Sequence, residues 1–386
     1  MSEDLLRKSS RDKLAKLEVQ NLRRRLINTI RSSNGKVLRN SQELISFSCN
    51  DYLGLTHHPE VIKASQDATY EYGAGSGGSR LVSGNNPLNS ELETLLAKIK
   101  GTEDAIVFGS GYLANLGVIP ALVGRKDLIL IDELSHACLF AGAMLSNAHT
   151  IHFKHRDISE LANLMTKQRK SYQHCLVLTD GVFSMDGDLA PISALHELCK
   201  KHKAWLMTDD AHGLGVIENG RGSSVVDGCA IPVPLQVGTL SKAVGAYGGY
   251  LCSNKETIDL IRNRARSLVY TTGLPPGNLA AAIAALKIIR TNIELTNRPL
   301  ALANKFAAYL GLSPPKSPIV TIQLGDVERT MRGSMELEKK GFLVVAIRPP
   351  TVPVGTSRLR CTFSAIHTEA QVDAFAKATK EVLAIQ

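Results

Sequence analysis

The sequence predicts an α/β protein with a large domain on a buried parallel sheet and a smaller α/β domain after it. Three observations predict this. From about Pro87 to Cys252, helical and strand-like segments alternate, the order that builds crossover units. The strand-like segments are apolar throughout rather than alternating, which marks strands buried on both faces. A chain of 386 residues is also too long for one simple core.

Taken in order, the elements are as follows. Residues from about Ser2 to Ile30 should form an amphipathic helix, because Leu5, Leu6, Leu14, Leu17, Leu22, Leu26 and Ile27 recur near helical spacing. Ile45 to Cys49 reads as a short strand before the turn-rich Asn50-Asp51-Tyr52-Leu53-Gly54. Pro59 to Tyr72 reads as a helix. The following Gly73-Ala74-Gly75-Ser76-Gly77-Gly78 matches G-x-G-x-x-G by letter. A dinucleotide fingerprint needs a strand before it and a helix after it. The nucleotide reading is therefore rejected in favour of a glycine-rich loop, either lining a ligand cleft or simply flexible.

Glu91 to Lys100 reads as a helix ended by Gly101, and Ala105 to Phe108 as a strand. Gly109-Ser110-Gly111-Tyr112 then opens a helix through Val118. Strands follow at Asp127–Ile131, Thr150–Phe153, Cys175–Thr179, Ala204–Thr208, Val233–Val237 and Tyr250–Cys252. Helices are expected at Ile158–Gln168, Pro191–His202 and Thr257–Arg266. An alanine-rich helix from Gly277 to Glu294 is long enough to tie two domains together. Beyond about Arg298, strands near Ile319–Ile322, Leu343–Ala346 and Arg358–Phe363 and a helix from Glu369 to Leu383 complete the smaller domain. The expected division is an N-terminal helical segment at 1–45 packing with the small domain, a large domain at 46–280 and the small domain at 281–386.

Composition bounds the function. No apolar run reaches the length of a membrane span. Met1-Ser2-Glu3-Asp4 does not open a signal peptide, so a cytoplasmic protein is expected. Seven cysteines stand singly with no C-x-x-C pair, against a disulfide framework or zinc ribbon. The net charge of +9 has no long basic tract beyond Arg23-Arg24-Arg25, and there is one tryptophan. That suits phosphorylated or acidic ligands rather than nucleic acid or a membrane. His152 and His155 show no acidic or cysteine partner at ligand spacing, so no metal is expected. Ser184 is not in a nucleophile elbow.

In an open α/β sheet, ligands bind outside the carboxyl ends of the strands. Four such ends carry Ser110-Gly111-Tyr112, His136, Asp209 with His212, and Thr239 with Lys242. Each is common alone: Lys242 as a surface cation, Asp209 as a cap or ion-pair partner, His136 as a satisfied strand-end histidine. Together they supply what pyridoxal phosphate needs. Lys242 is an amine for its aldehyde. Asp209 is a carboxylate that keeps the pyridine nitrogen protonated. His212 can hydrogen-bond the ring oxygen. Gly111, Tyr112 and Thr239 offer backbone donors and a hydroxyl for the phosphate.

These stretches make the chain resemble the α-oxoamine synthase family of fold type I pyridoxal phosphate enzymes. They are Asn50-Asp51-Tyr52-Leu53-Gly54-Leu55, Gly75-Ser76-Gly77-Gly78-Ser79-Arg80, Gly181 to Asp188, Asp209-Asp210-Ala211-His212-Gly213 and Gly238-Thr239-Leu240-Ser241-Lys242. The resemblance runs from Arg23 to about Phe363. It implies a large domain with a mainly parallel seven-stranded sheet flanked by helices, a smaller C-terminal α/β domain, and a homodimer in which Thr271 or Thr272 reaches across. It implies catalytic roles for Lys242, His136, Asp209 and His212, with Gly111, Tyr112, Ser184 and Thr239 also touching the cofactor. Arg23, Asn50, His136, Thr351 and Arg360 would face substrates, Arg360 clamping a carboxylate.

The stretch Arg348-Pro349-Pro350-Thr351-Val352-Pro353, with Gly355 to Arg360 after it, points to one branch of that family. Its reaction joins L-alanine to a pimeloyl thioester, on CoA or acyl carrier protein, with loss of CO2, on the route to biotin. The sister branches, 5-aminolevulinate synthase, glycine C-acetyltransferase and serine palmitoyltransferase, share the ring-binding residues. Cys49 and Cys138 stand where the family usually has serine.

Overall fold

The computed structural model describes residues 2–20 and 22–384. Met1, Asn21, Ile385 and Gln386, which fall within the expected terminal segments 1–45 and 281–386, lie outside the described residues. The chain separates into two compact units. The larger is Cys49–Val320 with Thr362–His367, and the smaller is Met1–Ser48, Thr321–Cys361 and Thr368–Gln386.

The larger unit is built on a seven-stranded sheet. In chain order its strands are β1 (Asp104–Phe108), β2 (Leu128–Asp132), β3 (His149–Phe153), β4 (Cys175–Asp180), β5 (Trp205–Asp209), β6 (Leu235–Thr239) and β7 (Gly249–Ser253). They are arranged β1-β7-β6-β5-β4-β2-β3. Only β7 runs against its neighbours β6 and β1. The pairs from β6 to β3 are parallel. Each strand expected for this sheet is present, shifted by no more than a residue or two.

Unbroken apolar runs follow from burial on both faces. In β2, Ile129 and Ile131 join one core cluster while Leu128 and Leu130 join another. In β4, Leu176 and Leu178 split from Cys175 and Val177 in the same way. The first cluster is closed by the helices Gly111–Leu122, Ala137–Ser146 and Lys255–Arg264 through Val118, Leu139 and Ile261. The helices Ile158–Gln168 and Ile192–His202 close the second through Leu161 and Leu195. Each fully buried Leu or Ile contributes about 1.5–3 kcal/mol relative to exposure.

Several expectations need correction. The first helix covers Ser2–Val19 rather than running to Ile30, and a strand occupies Thr29–Arg31. The single early strand is instead a hairpin, Lys36–Arg39 with Gln42–Ser46, turned by Asn40 and Ser41 at positive φ. Helix Ala137–Ser146 was not anticipated from the pattern, because it is apolar nearly all round. The alanine-rich helix spans Pro276–Thr291 and then restarts. Asn292 accepts a hydrogen bond from the Leu295 N–H and caps a second helix, Ile293–Leu310. The expected division at 280/281 is displaced to Val320/Thr321. Helix Pro276–Thr291 buries Leu279, Ala282 and Leu286 in the core of the larger unit.

The smaller unit carries a four-stranded sheet that adds Phe342–Leu343 to the N-terminal strands, and helices Val327–Lys339 and Glu369–Ala384. Phe47 stacks on Phe375 with centroids 3.9 Å apart. Leu5, Leu6, Leu14 and Leu17 of the first helix are exposed.

Candidate active site

The carboxyl ends of β1, β2, β4, β5 and β6 share one edge of the sheet and border one cavity of about 230 Å³. After β1, Ser110 caps the helix Gly111–Leu122 by accepting the Leu113 N–H at 3.1 Å. That helix start is brought close because β7 begins with glycine. A Cβ on Gly249 would sit 2.3 Å from the Ser110 carbonyl carbon. After β2, His136 is the N-cap of helix Ala137–Ser146. β5 ends on Asp209 and β6 on Thr239, with His212 and Lys242 in the turns that follow.

Gly111, Tyr112, His136, Ser184, Asp209, His212, Thr239 and Lys242 all border this cavity. Asp209 and Lys242 therefore share one space. Asn50 lies just behind, accepting from the Tyr52 hydroxyl at 3.4 Å. Arg23, Thr351 and Arg360 belong to the smaller unit. There Arg23 pairs with Glu18 at 2.9 Å, Arg24 donates to the Thr351 hydroxyl at 3.0 Å, and Arg360 is buried in the strand Ser357–Thr362.

The polar atoms form two wired chains. In one, Lys242 Nζ is 2.8 Å from His212 Nε2, and His212 Nδ1 is 2.7 Å from the buried Tyr52 hydroxyl. An ammonium at Lys242 has only donors, so Nε2 accepts and Nδ1–H donates to the Tyr52 oxygen. In the other, Asn115 Nδ2 donates to Asp209 Oδ2 at 2.7 Å and the Ala211 N–H donates to Oδ1 at 2.9 Å. The Cys138 thiol lies 3.7 Å from Oδ2 and 2.9 Å from His136 Nδ1, which also accepts the Cys138 N–H at 3.2 Å. Asp209 is thus held by uncharged donors, and among the described residues no cation is paired with it.

Burial, reinforced by the Lys242 charge and opposed by Asp209, holds His136 below the ordinary histidine value, so it stays neutral. Burial, and then the Asp209 and Asp180 charges, push the Cys138 thiol far up, so it is no thiolate. Asp180 also borders the cavity and faces Asp209 across the β4–β5 register. Burial and then the Asp209 charge raise it well above the carboxylate range, although the His136 N–H donates to both its oxygens at 3.1 and 3.3 Å.

Asp180, Asn115, Cys138 and Ser241 went unassigned in the reading of the sequence. Asp180 ends an apolar strand just as Asp209 does, and Asn115 lies one helical turn past Gly111 on the same face. Those were the available signals. His155, weighed in the sequence only as a metal ligand without partners at ligand spacing, has carboxylates close by in the fold. Asp132 and Asp188 are beside it, brought there from distant positions.

The donor set fits pyridoxal phosphate. An amine, an imidazole beside it, and a carboxylate without a cation stand round one space. It also receives a capped helix N-terminus and the paired hydroxyls of Thr239 and Ser241, 2.7 Å apart, suited to a phosphate. Among the described residues no group of His, Cys, Asp and Glu is arranged to hold a metal ion. The glycine run from Gly73 follows a helix, not a strand, and Ser76 donates to the Gly273 carbonyl at 2.7 Å.

Comparison with known proteins gives a consistent picture. The model of the aminotransferase class I and II family matches residues 42–378. An 8-amino-7-oxononanoate synthase of Methylocella silvestris is 57% identical over 90% of this chain and 99% of its own length. One of Granulibacter bethesdensis is 54% identical over 96% of each. Among solved structures, a serine palmitoyltransferase of S. paucimobilis with a bound pyridoxal phosphate–myriocin aldimine superposes with a TM-score of 0.90 at 31% identity, covering 97% of this chain and 98% of that one. An 8-amino-7-oxononanoate synthase of Francisella tularensis superposes with a TM-score of 0.74 at 27% identity, covering 89% and 98%.

Proposed function

The chain belongs to the aminotransferase class I and II family and, within it, to the 8-amino-7-oxononanoate synthases, and from that premise we propose how its cavity works and on which substrates. Its cofactor is pyridoxal phosphate, and its product is 8-amino-7-oxononanoate, for biotin biosynthesis. The substrates we assign are L-alanine and a pimeloyl thioester, carried on CoA or acyl carrier protein. The overall change forms one carbon–carbon bond, breaks the thioester C–S bond and the bond to the alanine carboxylate, and returns a proton to the former α-carbon.

When bound, the cofactor supplies an electron-accepting ring. The rest falls to the chain. Lys242 would hold the cofactor through its aldehyde and would be the base that receives the alanine α-proton. Asp209 reserves its charge for the protonated ring nitrogen, because only uncharged donors hold it. His212 would hydrogen-bond the ring oxygen, and neutral His136 would offer a flat face to the ring. Gly111, Tyr112, Ser184 and Thr239 receive the phosphate. Arg23, Asn50, Thr351 and Arg360 serve the substrates, with the Arg360 guanidinium suited to the alanine carboxylate. The net charge of +9 favours CoA phosphates or an acidic carrier.

The observation that carries this reading is the cavity shared by Lys242, His212 and an Asp209 held, among the described residues, by uncharged donors. Leu81, Val82, Tyr112, Tyr247 and Tyr270 are exposed in the single chain, which supports a homodimer that covers them. All seven cysteines are free thiols, which suits the cytoplasm. Among the described residues no helix is long and apolar enough to cross a membrane.

A second reading, serine palmitoyl transfer, draws on the TM-score of 0.90 to a serine palmitoyltransferase. One substrate panel separates the two: alanine with pimeloyl-CoA, glycine with succinyl-CoA, glycine with acetyl-CoA, and serine with palmitoyl-CoA. Turnover is expected mainly with the first pair. Preference for any other pair overturns the substrate assignment.

A further inference from the structure

Outside the cavity, one histidine bonded through both ring nitrogens is not used by the reaction. His155 follows β3. Its Nδ1 lies 3.0 and 3.2 Å from the two oxygens of Asp132, at the end of β2, and its Nε2 lies 2.8 Å from Asp188. Carboxylates only accept, so both ring nitrogens must donate and the ring is an imidazolium. Its backbone N–H donates to Glu133 at 3.1 Å. Arg156 supplies a second local cation, 2.9 Å from Asp188, while its N–H donates to Asp132 at 2.8 Å. Arg156 also holds φ 59°, a left-handed conformation that costs a residue with a Cβ, so the surroundings over-determine this turn.

The other side of His155 is a hairpin. The Phe183 N–H bonds to the Asp188 carbonyl at 3.0 Å and the Gly187 N–H to the Phe183 carbonyl at 2.8 Å, closing a loop whose member Ser184 borders the cavity. His155 sits edge-on to the Phe183 ring, centroids 4.3 Å apart, and grips Asp188. It therefore touches the hairpin on both flanks of Ser184 and ties it to the end of β2.

We propose that His155 is a cationic clamp that positions the Ser184 hairpin for the cofactor, a positioning residue that never touches the cofactor itself. The proposal rests on the cofactor reading of the cavity. Burial disfavours the charge on His155, but hydrogen bonds and charge from Asp132 and Asp188 overcome it and lift the group to about 9. A histidine raised above its unfolded value of about 6.5 stabilises the fold fully below that pH, and the contribution is lost as pH rises through about 9.

The test is a double-mutant cycle on the full chain, with pyridoxal phosphate as the probe. Its dissociation constant is measured by absorbance for the wild type, His155→Gln, Ser184→Ala and the double variant. His155→Gln should weaken binding about tenfold, and the double variant should be little worse than either single one, since both changes remove the same contact. In parallel, unfolding of the cofactor-free chain is followed from pH 7 to pH 10. The wild-type midpoint should fall more steeply than that of His155→Gln between pH 7 and about 9, and run parallel to it above that.

Wild-type affinity in His155→Gln, full additivity of the two losses, or curves already parallel between pH 7 and about 9 would each overturn the clamp. A wild-type chain that does not bind pyridoxal phosphate would strike the cofactor reading itself and remove this role with it. Should His155→Gln not fold, Asp188→Asn, which keeps the shape and removes one charge, is measured in its place with the same expectations.

Discussion

Two lysine–carboxylate regions flank the end of β5, and they are built in opposite ways. On one side, Asp210 is closed on itself. Lys100 Nζ donates to its Oδ2 at 2.6 Å, with side-chain exposures of 0% and 1%, the Ser223 N–H donates to its Oδ1 at 3.0 Å, and Lys100 also donates to the Arg221 carbonyl at 3.0 Å. On the other, Asp209 looks into the cavity, gripped by Asn115 and a backbone N–H, with Lys242 bonded to a histidine instead. Adjacent residues at a strand end point to opposite sides, so the chain places one carboxylate in each region. The difference teaches that a charge neutralised by a buried partner serves the fold, while a charge held by neutral donors remains available to a ligand.

The largest effects should separate the two lysines. Lys242→Ala should lower alanine–pimeloyl-CoA turnover at least about a thousandfold with little change in the melting midpoint. Lys100→Ala should do the reverse to the fold, costing about 3–5 kcal/mol in denaturant unfolding, because it leaves a buried carboxylate without its cation. A Lys242→Ala chain that melts like Lys100→Ala would erase the distinction.

The two aspartates come next. Asp209→Asn should cost about a hundredfold in turnover while unfolding stays near wild type. Asp210→Asn should lose about 3–5 kcal/mol of stability, because it leaves the buried Lys100 ammonium without its counter-charge, before any kinetic change. The smallest effect is at the rim. Ser110→Ala removes the cap on helix Gly111–Leu122 and should cost about 1 kcal/mol, read by thermal unfolding.

How much of this was legible depended on sequence distance. The strands were readable because both faces of each are buried, and Asp209, His212 and Lys242 because each lies at or just after a strand end. Helix Ala137–Ser146 was not, since an all-apolar helix has no stripe to detect. Nor was the break at Asn292, where one cap outweighs a continuous alanine-rich pattern. Asp180 was passed over because its role depends on lying opposite Asp209, and register is a property of the folded sheet. His155 was discounted because its partners, Asp132 and Asp188, are far from it in the chain.

The most direct measurement locates the cofactor's attachment. The full chain is saturated with pyridoxal phosphate, reduced with borohydride, digested, and mapped by mass spectrometry for the pyridoxyl group. One group per chain, on Lys242 alone, is the predicted result. Labelling scattered over surface lysines, or confined to another lysine such as Lys100, would contradict the central claim that Lys242 and Asp209 grip one ring between them.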